Sequence, residues 1–139
     1  MITARELERL AGLFEGEGSF CVLRRKAEGR DTYYELTAAF VSSDRDVAEW
    51  VQQRLGAGAG LVRTEEKRPS KRPRKPMYHV HVWGYRAAGW MMTLYSMLGQ
   101  RRRAQIQGSL ARWYNGGQLR PAVLARIRKQ FPVTVPRAD

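Results

Sequence analysis

Apolar residues near the start of the chain follow the spacing of an amphipathic helix. Four of them recur at the intervals that place side chains on one helix face: Leu7, Leu10, Leu13 and Phe14. Thr3 can cap this helix, and Glu6 three residues later completes the pattern of a capping box. Gly16 and Gly18 are expected to end it.

The rest of the chain alternates between strand and helix patterns. Runs rich in alternating apolar residues predict strands at 19–26, 32–41, 59–66 and 77–84. Helical spacing with plausible caps predicts helices at 42–56, 85–98 and 101–114. A last helix is expected to open at Pro121, because proline fits the first turn of a helix.

The order of these elements, αββαββα, predicts one α+β domain with a four-stranded, mainly antiparallel sheet. A length of 139 residues suits one domain, and we find no internal repeat. We expect the domain to occupy residues 1–115. Residues 116–139 are expected to form a C-terminal extension with one short helix and a flexible end.

The charge of the chain is large and unevenly placed. The formal net charge is +12, and every acidic residue except Asp139 lies within positions 1–66. Between Lys67 and Arg137 there are sixteen Lys or Arg and no Asp or Glu. Such a one-sign stretch is typical of a face that binds a polyanion, most often nucleic acid. A generally basic, highly soluble protein is the alternative.

Several classes of protein are excluded or disfavoured. Cys21 is the single cysteine, so an internal disulfide and a cysteine metal cluster are impossible. The first residues do not resemble a signal peptide, and the longest mainly apolar run, residues 89–99, is too short to cross a bilayer. We therefore expect no membrane partner and an intracellular, soluble protein of a bacterium, a phage-infected cell or an organelle.

A short motif stands at the end of the first predicted helix, "LAGLFEGEGSF" at residues 10–20. It places two glutamates among glycines at a helix end, where the helix dipole disfavours negative charge. The motif resembles LAGLIDADG, and the order of elements over residues 5–113 is similar to that of the LAGLIDADG homing endonucleases. The matching positions are Leu10, Ala11, Gly12, Leu13, Glu15, Gly16, Glu17 and Gly18.

The resemblance implies a site-specific double-stranded DNA endonuclease, or meganuclease, that spreads an intron, intein or free-standing gene. By motif position Glu17 is the metal-binding acid, with the backbone carbonyl of Gly16 beside it. The implied metal is Mg²⁺; Mn²⁺ is expected to support cleavage, and Ca²⁺ to bind without cleavage. The family often has Asp where this chain has Glu17.

Proteins of this family with one motif act as homodimers, in which the motif helices of two copies pack together. The resemblance therefore implies a homodimer, a long pseudo-palindromic target and cuts that leave 3′ overhangs. Small residues at the motif permit close approach of two helix backbones. The implied interface residues are Leu10, Ala11, Gly12, Leu13 and Glu15.

Two further catalytic positions follow from the resemblance. Asp44 falls where relatives carry a polar residue that organises water, although it could instead cap its helix. Arg101 falls where relatives place a basic residue near the scissile phosphate, with Arg102 and Arg103 as alternatives in register. All three arginines could also bind only backbone phosphates.

Alternation along the strands predicts which side chains leave the core for the major groove. In the third strand Val62 and Thr64 are expected to face inward. The residues expected to meet base edges are Arg25, Glu35, Thr37, Arg63, Glu65, His79 and His81. Those expected to contact phosphates are Arg24, Lys26, Lys71, Arg72, Arg74, Lys75, Arg102 and Arg103. Each could instead be simply solvated.

Three functions remain open on these patterns. The first is the metal-dependent DNA endonuclease. The second is a catalytically inactive LAGLIDADG nucleic-acid-binding protein, acting as an RNA-splicing maturase or a transcription regulator. The third is a basic RNA-binding protein with a ferredoxin-like core.

Overall fold

The computed structural model describes residues 1–26, 29, 32–64, 74–115 and 129. Helices and strands alternate along them in the predicted order, which confirms the α+β fold class. The elements are α1 (Ala4–Glu17), β1 (Gly18–Lys26), β2 (Thr32–Ser42), α2 (Arg45–Leu55), β3 (Gly60–Thr64), β4 (Met77–Trp83), α3 (Gly84–Leu94), a 3₁₀ helix (Tyr95–Met97) and α4 (Gln100–Asn115). No helix of the described residues is long and apolar enough to cross a membrane.

The four strands form one antiparallel sheet in the order β1-β2-β4-β3. Gly18 is opposite Phe40 where β1 meets β2, and Ala38 is opposite Val82 where β2 meets β4. Residues directly opposite in an antiparallel pair share a face of the sheet, so these registers define which side chains lie together.

One face of the sheet packs against the helices and forms the core. The rings of Phe14, Phe20 and Phe40 meet there, with Phe14 centred 5.5 Å from Phe20 and 5.9 Å from Phe40. Fully buried aliphatic residues from α1, the sheet, α3 and α4 surround them: Leu10, Leu36, Val80, Val82, Met91, Leu94, Ile106 and Leu110. The opposite face, which we call the outer face, remains uncovered in the described chain.

The predicted capping box at the start of α1 is present. The backbone N–H of Glu6 donates to Oγ1 of Thr3, and the backbone N–H of Thr3 donates to Oε2 of Glu6 at 2.8 Å. That backbone hydrogen bond, more than the ion pair with Arg54, lowers the pKa of Glu6. Arg54 lies on α2, 3.0 Å from the Glu6 carboxylate, so the cap also joins two helices.

The predicted phase of the third strand is wrong. Val62 pairs with His79 and Thr64 pairs with Met77, so both side chains lie on the outer face, where Val62 is 52% exposed. Arg63 pairs with Tyr78 on the helix side of the sheet. The error arises because Leu61 and Val62 are adjacent apolar residues in a short strand, and alternation alone cannot decide which of them is buried.

Of the two glycines that were expected to end α1, only Gly18 does so, as its C-cap residue. Gly16 is helical and does not end α1, which continues to Glu17. Gly18 follows the helix with ordinary φ, and its N–H donates to the carbonyl of Phe14. A Cβ on Gly18 would stand 2.5 Å from that carbonyl oxygen. Close packing against Phe14, rather than an unusual turn, therefore requires glycine here.

Some predictions concern residues that the structure does not describe. These are the DNA contacts of Glu65, Lys71 and Arg72, and the helix that opens at Pro121. The division between residues 1–115 and 116–139 stays a prediction for the same reason.

Replacing Gly18 by alanine is expected to destabilise the fold by about 1–3 kcal/mol, the typical cost of overpacking. The added methyl meets backbone atoms of Phe14 that cannot move without disturbing the core. Urea unfolding would measure the change. Gly108→Ala is the matched control, because a Cβ at that helical position meets nothing within 4 Å. An equal unfolding midpoint for Gly18→Ala and the wild type would contradict this account.

Candidate metal-binding helix end and nucleic-acid interface

The C-terminal end of α1 is held by side chains exchanged with the start of α4. Nε–H of Arg102 donates to the carbonyl of Glu15 at 3.1 Å, and its terminal amino group donates to the carbonyl of Gly16 at 3.4 Å. In return, the Glu15 carboxylate accepts the backbone N–H of Gly99 at 3.0 Å, directly before α4. We call these four residues the α1–α4 brace.

The brace neutralises the partial charges of two helix ends. The last turn of α1 contains no basic residue of its own, so Arg102 supplies the positive charge that the free carbonyls favour. Glu15 supplies the negative charge that favours the N-terminus of α4. Arg102 is only 6% exposed. Its predicted role in phosphate binding is therefore corrected: it is a structural residue within the chain.

The run of three arginines at the start of α4 points in three directions. Arg103 turns back to the 3₁₀ helix, where its guanidinium donates to the carbonyls of Tyr95 and Ser96. Its predicted phosphate contact stays a prediction. Arg101 is exposed and makes no hydrogen bond or ion pair with any described residue. Among the three, Arg101 alone makes no such contact with the described residues, and its role near the scissile phosphate stays a prediction.

Most of the predicted dimer-interface residues pack or form hydrogen bonds within their own chain. Leu10 and Ala11 are buried in its own core, which corrects their assignment. Leu13 packs partly against the same core, and the Glu15 carboxylate is held by Gly99. Gly12 alone of the five is exposed.

The exposed side of α1 carries a strip without side chains. Gly12 and Gly16 are four residues apart, and both are exposed. A Cβ built on either glycine meets no atom within 4 Å. The chain itself therefore does not require glycine at these positions, and both lower the intrinsic stability of the helix by roughly 1 kcal/mol relative to alanine.

Two carboxylates lie beyond the brace, near the ends of α1 and β2. Glu17 is the last residue of α1, is exposed and contacts no described cation. Asp44 is the N-cap residue of α2, but its carboxylate makes no capping hydrogen bond. Its backbone N–H donates to Oγ of Ser42 at 3.0 Å, and its backbone carbonyl accepts the N–H of Ala48 at 3.1 Å. The alternative that Asp44 caps its helix through its side chain is therefore wrong.

Within the described residues, no three His, Cys, Asp or Glu side chains are placed to hold a metal ion together. The oxygens near the end of α1 are the Glu17 carboxylate and the Gly16 carbonyl, which keeps a second lone pair besides the one facing Arg102. An all-oxygen donor set suits a hard cation such as Mg²⁺, and its remaining ligands would have to come from outside this pair of residues.

The outer face of the sheet confirms the predicted orientation of β1, β2 and β4. Arg25 and Glu35 lie on it and form an ion pair, with Nε of Arg25 2.9 Å from Oε2 of Glu35. Thr37 belongs to the same face but is 4% exposed, and its hydroxyl has no hydrogen-bond partner. Its predicted contact with DNA is therefore corrected, since neighbouring side chains cover it.

Three rings form a ladder along β4 on this face. His79 and His81 are stacked with centroids 6.0 Å apart and planes 3° apart, and His81 and Trp83 are 5.7 Å and 15° apart. Oγ1 of Thr64 and Nε2 of His79 are hydrogen-bonded at 2.9 Å. Burial, with a smaller contribution from His79, lowers the pKa of His81, so this imidazole is neutral at pH 7.

Apolar residues occupy more of the outer face than was predicted from the sequence. Leu23, Tyr33, Val62 and Trp83 are exposed there and were not among the predicted contacts. Trp83 could have been found, because it continues the alternation of His79 and His81. Val62 could not, because the phase of its strand was ambiguous.

The predicted phosphate-binding residues that the structure describes lie around this face. Arg24 and Lys26 are exposed at the far end of β1, and Arg74 and Lys75 are exposed immediately before β4. Arg63 is exposed at the other edge of the sheet, on its helix side, so its predicted outward orientation is corrected. Charge thus surrounds a face that is itself mostly neutral.

The chain has the fold of the LAGLIDADG homing endonucleases. It is similar to the archaeal intron-encoded homing endonuclease I-Vdi141I complexed with DNA, with 18% identity and a TM-score of 0.58 over 92% of this chain and 80% of that protein. It is also similar to I-CvuI in complex with its target in the presence of calcium, with 12% identity and a TM-score of 0.56 over 94% and 97% of the two chains.

The LAGLIDADG homing endonuclease I-LtrWI bound to target DNA shares 15% identity and a TM-score of 0.58. That match covers 99% of this chain but 47% of I-LtrWI, so this chain spans about half the length of that protein. No protein-family model and no curated protein sequence matches the chain. The likeness is therefore one of fold, preserved at low sequence identity.

The brace predicts different consequences for neighbouring arginines. Arg102→Ala is expected to lower the free energy of unfolding by about 2–4 kcal/mol, because the partly buried carbonyls of Glu15 and Gly16 lose a charged donor and the packing of the Arg102 side chain is lost. Arg101→Ala removes the same side-chain groups from an exposed position. It is expected to change the free energy of unfolding by less than about 0.5 kcal/mol. Urea unfolding of both variants measures the difference, and equal midpoints would contradict the structural role of Arg102.

Proposed function

We propose that this chain is a divalent-metal-dependent endonuclease of the LAGLIDADG family that cuts double-stranded DNA at a specific site as a homodimer. The observation that carries the proposal is the exposed carboxylate of Glu17, held without a cationic partner among the described residues at a helix C-terminus. The helix dipole disfavours negative charge there, so the position is best explained by a cation that binds in the functional complex.

The exposed strip without side chains on α1, formed by Gly12 and Gly16, supports the homodimer. Two copies of α1 can approach closely at Gly12 and Gly16, because no side chain separates the backbones. A two-fold axis through this contact brings together the two helix ends and their Glu17 carboxylates. Two like charges in proximity repel each other unless cations lie between them, so the dimer and the metal support each other.

The oxygens of Glu17 and Gly16 would hold Mg²⁺ or Mn²⁺ together with phosphate oxygens of the DNA. The metal would supply a nucleophile from bound water and stabilise charge on the leaving oxygen. Asp44 would accept a hydrogen bond from water near the cleaved phosphate; its carboxylate makes no capping hydrogen bond with α2 that would compete with this role. Arg101 would donate hydrogen bonds to phosphate oxygens and stabilise their charge, because a guanidinium is a poor proton donor or acceptor.

The outer face would lie in the major groove, with the basic residues around it on the phosphates. Stacking covers both faces of the His81 ring and one face each of His79 and Trp83, so His81 can present only its edge to a ligand. Edges suit hydrogen bonding to base pairs, whereas stacking of unpaired bases requires free ring faces. The His81 ring is therefore suited to contact base edges of a duplex. The similar proteins I-Vdi141I and I-LtrWI are complexed with DNA.

Cleavage of the DNA that flanks the gene, joined with the gene removed, tests the proposed activity. We expect discrete double-strand breaks with 3′ overhangs in Mg²⁺ and intact, bound DNA in Ca²⁺. Glu17→Gln is expected to lower the cleavage rate at least about 100-fold, because it removes charge that faces the metal and the reacting phosphate.

The matched control is Glu8→Gln, which makes the same change at an exposed glutamate on the same helix and should cut like the wild type. Tight binding with intact DNA under all conditions would overturn the nuclease. It would favour the inactive nucleic-acid-binding protein instead.

Leucine at Gly12 is expected to abolish the dimer, because its side chain would separate the two helices while meeting no atom of its own chain. Sedimentation velocity at micromolar concentration measures the assembly. Gly108→Leu is the control, since this position on α4 is equally helical, exposed and open. The circular dichroism spectrum of Gly12→Leu should show that this variant remains folded. A dimer that persists in Gly12→Leu would exclude α1 as the interface.

A further inference from the structure

One charged pair interrupts the neutral outer face. Nε–H of Arg25 donates to Oε2 of Glu35 at 2.9 Å, joining β1 to β2 across the sheet. In the register, Arg25 is opposite Tyr33 and Glu35 is opposite Leu23, so the pair is diagonal. The side chain of Arg25 is 50% exposed and that of Glu35 is 24% exposed. The guanidinium is therefore fixed by the less exposed carboxylate while most of it remains open to a ligand.

Arg25 is the single Lys or Arg on the outer face of the four described strands. The other outer residues are neutral apart from Glu35: Ser19, Cys21, Leu23, Tyr33, Thr37, Ala39, Val41, Gly60, Val62, Thr64, Met77, His79, His81 and Trp83. Hydrogen bonding to a guanine edge calls for a planar donor with two parallel N–H groups, which only this side chain offers there.

The hydrogen bond to Glu35 uses Nε and leaves the two terminal amino groups of the guanidinium for a ligand. We propose that Arg25, positioned by Glu35, selects a guanine in the outer part of each half of the DNA target. This inference rests on the proposed function. The terminal amino groups would donate to O6 and N7 of the guanine, a bidentate contact that adenine, with a donor in place of O6, cannot accept.

Glu35 acts as a positioning residue in this arrangement. A free arginine side chain on a sheet surface can turn to a phosphate, which contributes affinity without base selection. The ion pair holds the guanidinium above the sheet and reduces the conformational entropy lost on binding. Glu35 therefore changes selectivity more than affinity.

The position of Arg25 along β1 places the guanine far from the cut. Arg25 lies seven positions after Gly18, which follows Glu17 directly. At the rise of a strand these positions span roughly 23 Å, the length of about seven base pairs. Because two copies of the chain would face the two halves of the site, the guanine is expected at symmetric positions in both.

Binding-site selection from a randomised duplex library tests this inference on the Glu17→Gln background, which is expected to bind without cutting. The unmodified background should select guanine about seven base pairs from the centre in each half. Arg25→Ala should lose the guanine preference there and keep the rest of the selected site. On single duplexes, changing that guanine to adenine should weaken binding about tenfold in the background and less than about twofold in Arg25→Ala.

Two variants of Glu35 separate positioning from a general structural role. Glu35→Ala removes the acceptor for Nε and should broaden base preference at that one position. Glu35→Gln keeps an acceptor oxygen and should restore the guanine preference. Arg24→Ala is the matched control: Arg24 is opposite Tyr34 on the helix side of the sheet, so it should affect all sequences equally.

The outcomes distinguish the inference from the function beneath it. A selected site that retains its guanine in Arg25→Ala, or affinity lost equally for all sequences, overturns the inference while DNA recognition stands. Selection of no duplex sequence by the background protein overturns both.

Discussion

The exchange of charged groups between α1 and α4 is the constraint on which the candidate site depends. Arg102 binds the last carbonyls of α1, and Glu15 binds the first free N–H of α4. Without these contacts two helix ends would meet with unsatisfied backbone groups in a partly buried region. The contacts fix where α1 stops, and hence where Glu17 lies relative to the sheet. A motif glutamate and an arginine in a basic run, each of which could be taken for a surface charge, thus organise the fold.

The outer face and the basic residues around it would have different roles in DNA recognition. The excess positive charge lies in the second half of the chain and around the sheet, where it attracts any polyanion irrespective of sequence. The face itself carries one ion pair and a row of neutral rings, which add little long-range attraction. Such an arrangement separates affinity from selectivity: phosphate contacts supply the first, and a few fixed side chains supply the second.

The sequence predicted the features that depend on local pattern. The capping box, the order of elements and the orientation of β1, β2 and β4 follow from spacing and alternation, and the structure confirms them. Three arginines in a row carry no such pattern. Successive helix positions differ in direction by about 100°. Only the packing of the folded chain therefore shows that Arg102 is buried and Arg101 is exposed. The motif likewise did not reveal that Leu10 and Ala11 face their own core, because resemblance identifies positions and not the direction of side chains.

The brace joins parts of the chain that are far apart in sequence. The bond between Glu15 and Gly99 spans 84 residues, and the bond between Arg102 and Glu15 spans 87. The chain must close a very long loop before these contacts form, and such contacts are intrinsically slow. During synthesis on the ribosome, the N-terminal motif emerges first, but the end of its helix remains unsupported until α4 has left the exit tunnel. Maturation of the acidic helix end is therefore a late event in biogenesis, completed only when nearly the whole domain is available.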